Sequence, residues 1–433
     1  MTSVQVGLIG IGALFLLFAL RMPVAFAMAV VGFAGFAYLT SFSAAASLLA
    51  RDFFSQFSSY GLSAITMFVL MGSYALMAGL GERLYRAAYS LAGRLPGGLG
   101  ISTVLACAGF AAISGSTTAT AATMGKIALP EMEKYGYDRM LASGAVAAAG
   151  TLGILIPPST VFLLYAFLTQ QPIGELFAAG IVPGLILTAL FALTVYLMCR
   201  IRPELGPRAQ PVPWRERLKA GAGAWQVAVL FLVVVGGMFY GWFSPTQAGA
   251  IGSAGAILVG IANRRISWRA FVEGTRDGLR TSVMILSLIA GATVFGRFMA
   301  VTRIPFLIAG WVESLPLSPD AILVVIALIF FVGGFFMDSM ALVTLLVPVV
   351  FPVVQRLGFD PVWFGVIVVI TAEMGVITPP VGVNVYVIKG IAPHIPLESI
   401  FRGIMPYLAS LFVVIGLLLA YPQLALWLPG LGR

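Results

Sequence analysis

The sequence predicts an all-α polytopic membrane protein built from two inverted repeats, each holding a re-entrant hairpin and a broken helix. Three observations predict it: a composition that only lipid can solvate, apolar runs of bilayer length from end to end, and a motif pattern that returns after 222 residues.

Of the 433 residues, 60% are hydrophobic and 9% charged, whereas a water-exposed surface needs roughly a quarter of positions charged. Runs such as Val6 to Leu20, Val182 to Met198, Val227 to Phe243 and Leu408 to Tyr421 approach the roughly 20 residues that carry a helix across a bilayer. They lack the strict polar–apolar alternation of barrel strands, so helices are expected. A formal net charge of +9 would point a soluble chain toward nucleic acid. Here the basic residues sit in short loops, with no basic stripe interleaved with aromatics, and no nucleic-acid partner is expected. Cys107 and Cys199 lie far apart in apolar surroundings and read as packing residues, not as a disulfide framework or metal cluster. The first apolar run has no positive flank or cleavage site and reads as a span, not a removed leader.

Apolar runs bounded by charges, Gly or Pro place helices near 3–20, 24–40, 61–80, 140–168, 175–199, 222–242, 245–262, 281–300, 361–388 and 404–428. Residues 99–133 and 320–355 are too long for one crossing and are interrupted centrally, as re-entrant hairpins are. Lys and Arg collect on the cytoplasmic side of short loops. With the N-terminus periplasmic, only Arg51, Arg297, Arg303, Arg356 and Arg433 of the 25 basic residues fall outside, an asymmetry that favours this orientation in a bacterial inner membrane.

The repeat aligns Ala128 to Asp138 with Val350 to Asp360, setting Pro130 on Pro352, Gly136 on Gly358 and Asp138 on Asp360. The same offset sets Gly153 on Gly375 and Pro157-Pro158 on Pro379-Pro380. One residue of slip later, Glu175, Gly180 and Pro183 pair with Glu398, Gly403 and Pro406. Five crossings separate the copies, an odd number that turns one upside down. Such paired halves can expose one midplane site to either side in turn, which is a carrier architecture.

The polar residues concentrate at the breaks. Ser114 to Thr120 form a hydroxyl-rich tip in apolar sequence, tolerated in lipid only when buried in protein or lining a wet cavity; a small-residue packing face is the other reading. Gly150-Thr151-Leu152-Gly153 before Pro157-Pro158, and Thr371 to Gly375 before Pro379-Pro380, remove intrahelical hydrogen bonds and free carbonyl oxygens. Such oxygens, with hydroxyls and a carboxylate, suit a small hard cation such as Na⁺, and the opposed helix N-termini suit an anionic substrate. Asp338, aligned with Ser116, is the foremost candidate for a cation ligand or proton site, because an ionisable group inside the membrane is costly. Glu373, aligned with Thr151, reads equally as a second such group or as a residue keeping a crevice wet. Asn384 either donates to a substrate carboxylate or bridges helices. No enzymatic constellation is present: the sole histidine, His394, sits between prolines, and Gly125-Lys126 followed by Ile127 fails the phosphate-loop pattern. No organic cofactor is expected, so energy must come from an ion gradient or a partner.

These residues carry a resemblance. Ser114-Gly115-Ser116-Thr117-Thr118-Ala119-Thr120, Leu129-Pro130-Glu131-Met132, Gly153 through Pro157-Pro158-Ser159, and Gly375-Val376-Ile377-Thr378-Pro379-Pro380-Val381-Gly382 resemble the large membrane subunit of TRAP (tripartite ATP-independent periplasmic) transporters, over nearly the whole chain. The resemblance implies an elevator-type, Na⁺-coupled carrier of small organic acids. Its partners would be a periplasmic binding protein and a small four-helix membrane subunit, expected as a separate chain. It implies sodium ligands at Ser114, Ser116, Gly150 and Thr151 in one half and at Asp338, Thr371 and Gly375 in the other. Substrate contacts are expected at Ser116, Thr117, Thr118, Ser159 and Asn384.

The expected organisation is scaffold and a first arm over 1–98, and a hairpin with broken helix over 99–170. Scaffold, basic linker and second arm follow over 171–319, a second hairpin with broken helix over 320–390, and a scaffold helix over 391–433. Segments 81–97 and 301–318 would be the arms, and the basic stretch 200–219 would join the halves. A stand-alone carrier of organic anions shares almost every residue used here; an ion channel and an intramembrane enzyme fit less of the pattern.

Overall fold

The structure, a computed structural model, describes residues 1–207, 221 and 223–431. Arg208, Arg215, Arg217, Lys219 and Arg433 from the charge reading, and most of the expected basic linker, lie outside the described residues. Among the described residues every regular element is a helix. Among the described residues six helices are long and apolar enough to cross a bilayer, or seven if one bent pair counts as a single span.

The two repeats fold alike because the same residue types do the same local work. The first hairpin pairs Gly98–Ser114 with Thr117–Lys134, and the second pairs Pro319–Gly333 with Ser339–Arg356. The second helix of each is capped by the aligned residue: Ser116 Oγ accepts from the Ala119 amide, and Asp338 Oδ1 accepts from the amides of Met340 and Ala341. Such caps satisfy amides that have no partner in the first turn. Each hairpin ends at a glycine in the left-handed region, Gly136 at φ 73° and Gly358 at φ 78°. The next helix is again capped by aligned aspartates, Asp138 on Met140 and Leu141, Asp360 on Val362 and Trp363. Both following helices are then broken. Arg139–Gly150 continues as one turn, Leu152–Leu155, and resumes only at Thr160–Thr169; Pro361–Ile377 resumes at Val383–Ile391. Both Pro-Pro bonds in the gaps are cis.

The remaining helices surround these units. Val24–Leu39 lies along the long helix Trp268–Thr302, close enough that a Cβ on Gly32 would sit 2.7 Å from the Phe295 amide nitrogen. Ser63–Met77 turns by 67° into Leu80–Ala92, and the turn falls at Gly79, whose φ of 70° suits glycine. Leu80–Ala92 then packs on the first hairpin, as Ile304–Glu313 packs on Ser339–Arg356, so the two segments expected as arms are helices lying against the hairpins.

Several boundaries differ from the sequence reading, and polarity explains them. The helix Phe42–Phe57 was not expected, because Arg51, Asp52 and Gln56 break its apolar run; Asp52 is buried and paired with Arg297 at 3.5 Å. The span expected from 281 begins at Trp268, its first turns carrying charges such as the Arg269–Glu273 pair at 2.9 Å. The segment expected over 61–80 is only the first limb of the bent pair. The last expected helix, 404–428, begins at Leu397 and breaks at Tyr421. Segment 222–242 is helical from Trp225 through a π-turn at Leu232–Gly236.

Between helices in lipid there is little hydrophobic drive, so small residues and close backbone contact hold them together. Gly144 on the first broken helix meets Gly403 on Leu397–Ala420, where a Cβ on either residue would collide with the other helix's backbone. Gly403→Val is therefore expected to destabilise the folded protein by the cost of overpacking, about 1–3 kcal/mol. Gly416→Val, on the same helix with open space around it, should leave stability unchanged or raised. Thermal unfolding of the two variants in detergent checks this; equal unfolding temperatures would count against the contact.

Candidate functional site

Both hairpin tips open onto one cavity of about 590 Å³, within the size range of small-molecule sites. Ser114, Ser116, Thr117 and Thr118 reach it from the first tip and Asp338, Ser339 and Met340 from the second. Glu373 of the second broken helix lines it too, and its far wall is the bent helix Ser63–Met77 and the long helix Trp268–Thr302. Two helix N-termini thus face one space, as the repeat requires.

The tips are held by hydrogen bonds that cross the breaks. Thr160, at the restart of the first broken helix, donates both its amide (3.2 Å) and its hydroxyl (2.7 Å) to the Gly115 carbonyl. Ser114 and Thr120 share a hydroxyl contact at 2.7 Å. Gly153 leaves no room for a side chain, since a Cβ there would collide with the Ser116 carbonyl; Gly375 likewise abuts the Phe331 carbonyl and Gly334. Each break is therefore seated directly on its own hairpin. Glu373 is 3% exposed, and its Oε1 accepts the Ser339 hydroxyl at 2.6 Å. The Glu373 carboxyl also lies beside the buried hydroxyl of Thr117.

Of the expected sodium ligands, Ser114, Ser116 and Asp338 line the cavity, whereas Gly150, Thr151, Thr371 and Gly375 lie behind it, buried at the breaks. The Thr151 hydroxyl donates to the Ala148 carbonyl at 2.6 Å, and that of Thr371 to Ile367 and Val368 at 2.8 and 3.1 Å. Thr378 donates its amide to Gly375 and its hydroxyl to Met374. At the breaks themselves, the Ala148 and Met374 carbonyls are thus taken by the neighbouring Thr151 and Thr378 hydroxyls. Of the expected substrate contacts, Ser116, Thr117 and Thr118 line the cavity. Ser159 does not: it is fully buried and caps its helix by accepting from the Phe162 amide. Asn384 is also fully buried and not among the residues lining the cavity; its amide donates to the Ala147 carbonyl of the other repeat at 3.1 Å, and its Oδ1 has no hydrogen-bond partner.

Sequence reasoning missed the far wall. Gly72, Ser73 and Thr281 line the cavity, and Gly72 lies so close to the first tip that a Cβ would sit 2.7 Å from the Ser114 carbonyl oxygen. The signal was slight: isolated small or polar residues in apolar helices, which look like packing positions.

The sequence profile described as the DctM component of tripartite ATP-independent periplasmic transporters matches residues 11–424. The chain belongs to this family. Relatives of the DctM type include the C4-dicarboxylate TRAP transporter large permease DctM of Pseudomonas aeruginosa, 36% identical over 382 residues that cover 88% of this chain and 89% of that one. The sialic acid TRAP transporter large permease SiaM of Vibrio cholerae is 33% identical over 422 residues, covering 97% of each. By these names the relatives of this DctM-family chain are transport permeases, not enzymes. The fold also matches solved structures of the Alcanivorax borkumensis YdaH transporter (TM-score 0.63, 16% identity, 90% of this chain and 89% of that one) and of Neisseria gonorrhoeae MtrF (TM-score 0.63, 15% identity, 88% and 84%).

The seating of the breaks carries a test on this DctM-family permease. Gly153→Ala and Gly375→Ala should each cut substrate uptake by about tenfold or more, because overpacking of about 1–3 kcal/mol displaces a tip. Gly296→Ala, in open space on the long helix, should stay within about twofold of wild type. Uptake in vesicles, normalised to permease in the membrane, reads the difference, and equal uptake by all three variants would contradict the seating.

Proposed function

We propose that this chain is the permease subunit of a sodium-coupled TRAP transporter that imports a small organic acid, handed over by a periplasmic binding protein, across a bacterial inner membrane. The observation that carries the reading is a cavity walled by both hairpin tips and by helices outside the repeats. A site shared by two related repeats is what alternating access needs.

In this reading sodium ions bind where each tip meets its broken helix, at Ser114, Ser116, Gly150 and Thr151 and at Asp338, Thr371 and Gly375. The substrate lies in the cavity against Ser116, Thr117 and Thr118. The hairpins and broken helices, 99–170 and 320–390, move as one body against 1–98, 171–319 and 391–433, with the helices Leu80–Ala92 and Ile304–Glu313 as arms. The contact of Gly72 with Ser114 brings an outer helix to the first tip, a Cβ there meeting the Ser114 carbonyl oxygen at 2.7 Å. The N-terminus is periplasmic in this reading, and a small four-helix membrane subunit braces the outer helices.

Sodium-gradient-driven uptake in liposomes, with binding protein and small subunit present, tests the reading. Wild-type accumulation of C4-dicarboxylates or sugar acids should vanish when choline replaces sodium. Ser116→Ala and Asp338→Ala should each raise the sodium concentration for half-maximal uptake by about tenfold, as loss of one charge-assisted ligand implies. Unchanged sodium dependence in both variants would remove the ion sites, and full uptake by this chain without partners would favour a stand-alone carrier.

A further inference from the structure

Away from the two tips, a cleft of about 160 Å³ lies between three elements: the end of the long helix at Phe295 and Ala300, the start of Ile304–Glu313 at Pro305 and Phe306, and hairpin two between Leu345 and Pro352. Among the described residues lining it, none carries a polar side chain. A dry apolar cavity of about this size takes an apolar guest as large as benzene. It is too small for a helix, which with its side chains is about 10–12 Å across, but it admits a hydrocarbon chain. Ala300 and Phe306 are exposed, so the cleft reaches the surface, and Val301, Leu307 and Trp311 continue that surface as apolar ground. A cation stands beside it. Arg303 makes the left-handed turn between the long helix and Ile304–Glu313, at φ 61°, and its exposed side chain is paired with no described residue. The neighbouring arginines are engaged: Arg297 faces Asp52 at 3.5 Å, and Arg356, one turn beyond Pro352, has a partner of its own. An arginine at the end of a membrane helix, set in apolar surface, lies at the level of the lipid headgroups.

From the apolar cleft and the unpaired cation together we infer a binding site for one membrane phospholipid, its phosphate on Arg303 and one acyl chain in the cleft between the long helix and hairpin two. The site is separate from the cavity at the tips, and the inference does not rest on the substrate or the ion assigned there. The guanidinium matches a phosphate with two parallel N–H donors. A chain in the cleft supplies the dispersion contacts that its walls would otherwise lack. A free anion would meet Arg303 and leave the cleft empty, and a neighbouring helix is too wide to enter it; a phospholipid answers both features with one molecule. In the division proposed above, the walls of the cleft belong to different bodies, so the chain fills part of the seam between them.

The test is photolabelling of the intact permease in nanodiscs by phosphatidylglycerol that carries a diazirine in the upper part of one acyl chain. Diacylglycerol with the same chains is the probe that lacks phosphate. Peptide mass spectrometry should place phosphatidylglycerol adducts on 295–306 and 345–352, about tenfold above those of diacylglycerol, the factor that one charge-assisted contact implies. Arg303→Ala should bring the two probes within about threefold of each other. Ala300→Phe, or Val349→Phe from the hairpin wall, fills the cleft without touching Arg303. Either should abolish the adducts in the cleft and leave those on the exposed Val324 and Val325 of hairpin two unchanged. Equal labelling by the two probes, or cleft adducts that survive both filling variants, would overturn the inference. Cleft adducts no more frequent than those on Val324 and Val325 would overturn it as well. Loss of the cleft adducts when a small membrane subunit is added would assign the cleft to that subunit and overturn the inference too.

Discussion

A backbone amide or carbonyl in the hydrocarbon core has no water to turn to, so every interruption of a helix there must be answered by another group of the protein or by a ligand. The architecture follows from how this chain answers that demand at two aligned places. Ser116 and Asp338 occupy the same position in their repeats and both cap the helix that leaves the tip. Thr160 returns to the Gly115 carbonyl across the first gap, and Asn384 spans from one repeat to the other to take the Ala147 carbonyl. Without those answers, the Gly and Pro-Pro interruptions would be unaffordable in lipid. With them, the breaks bring polar groups deep into the protein, and the cavity forms beside them.

Close packing supplies the rest. Glycines let broken helix, hairpin and outer helix approach to backbone contact at Gly153, Gly375, Gly144 and Gly72, and such contact replaces the hydrophobic drive that lipid removes. The two kinds of contact differ in character. Gly153 and Gly375 fix each break to its own hairpin, whereas Gly72 joins a hairpin to a helix outside the repeats, through atoms that every residue possesses.

Much of this was legible in the sequence because it was written in residue types with strong local rules. Pro130, Gly136 and Asp138 recur as Pro352, Gly358 and Asp360, and the structure gives each pair the same role. The helices expected from apolar runs are present, and the polar tips were visible as hydroxyls in apolar surroundings. What escaped was set by tertiary context. Phe42–Phe57 hides its helix behind charges, one of which, Asp52, is answered by Arg297 more than 200 residues away. Ser73 and Thr281 look like any packing residue until two distant helices are brought together around the cavity. Asn384 and Glu373 each had two readings in the sequence. The fold bonds Asn384 to Ala147 of the other repeat and brings Glu373 to the cavity wall, bound to Ser339.

The central claim is that the two aligned breaks hold cations where tip and broken helix meet. A high-resolution density map of the permease, recorded once in sodium and once in choline, tests it most directly. The account predicts a compact peak at each break in sodium, ringed by main-chain and hydroxyl oxygens at about 2.3–2.6 Å, the range of hard-cation oxygen contacts, and absent in choline. Identical maps in the two salts, with the oxygens at both breaks paired only to protein or water, would contradict it.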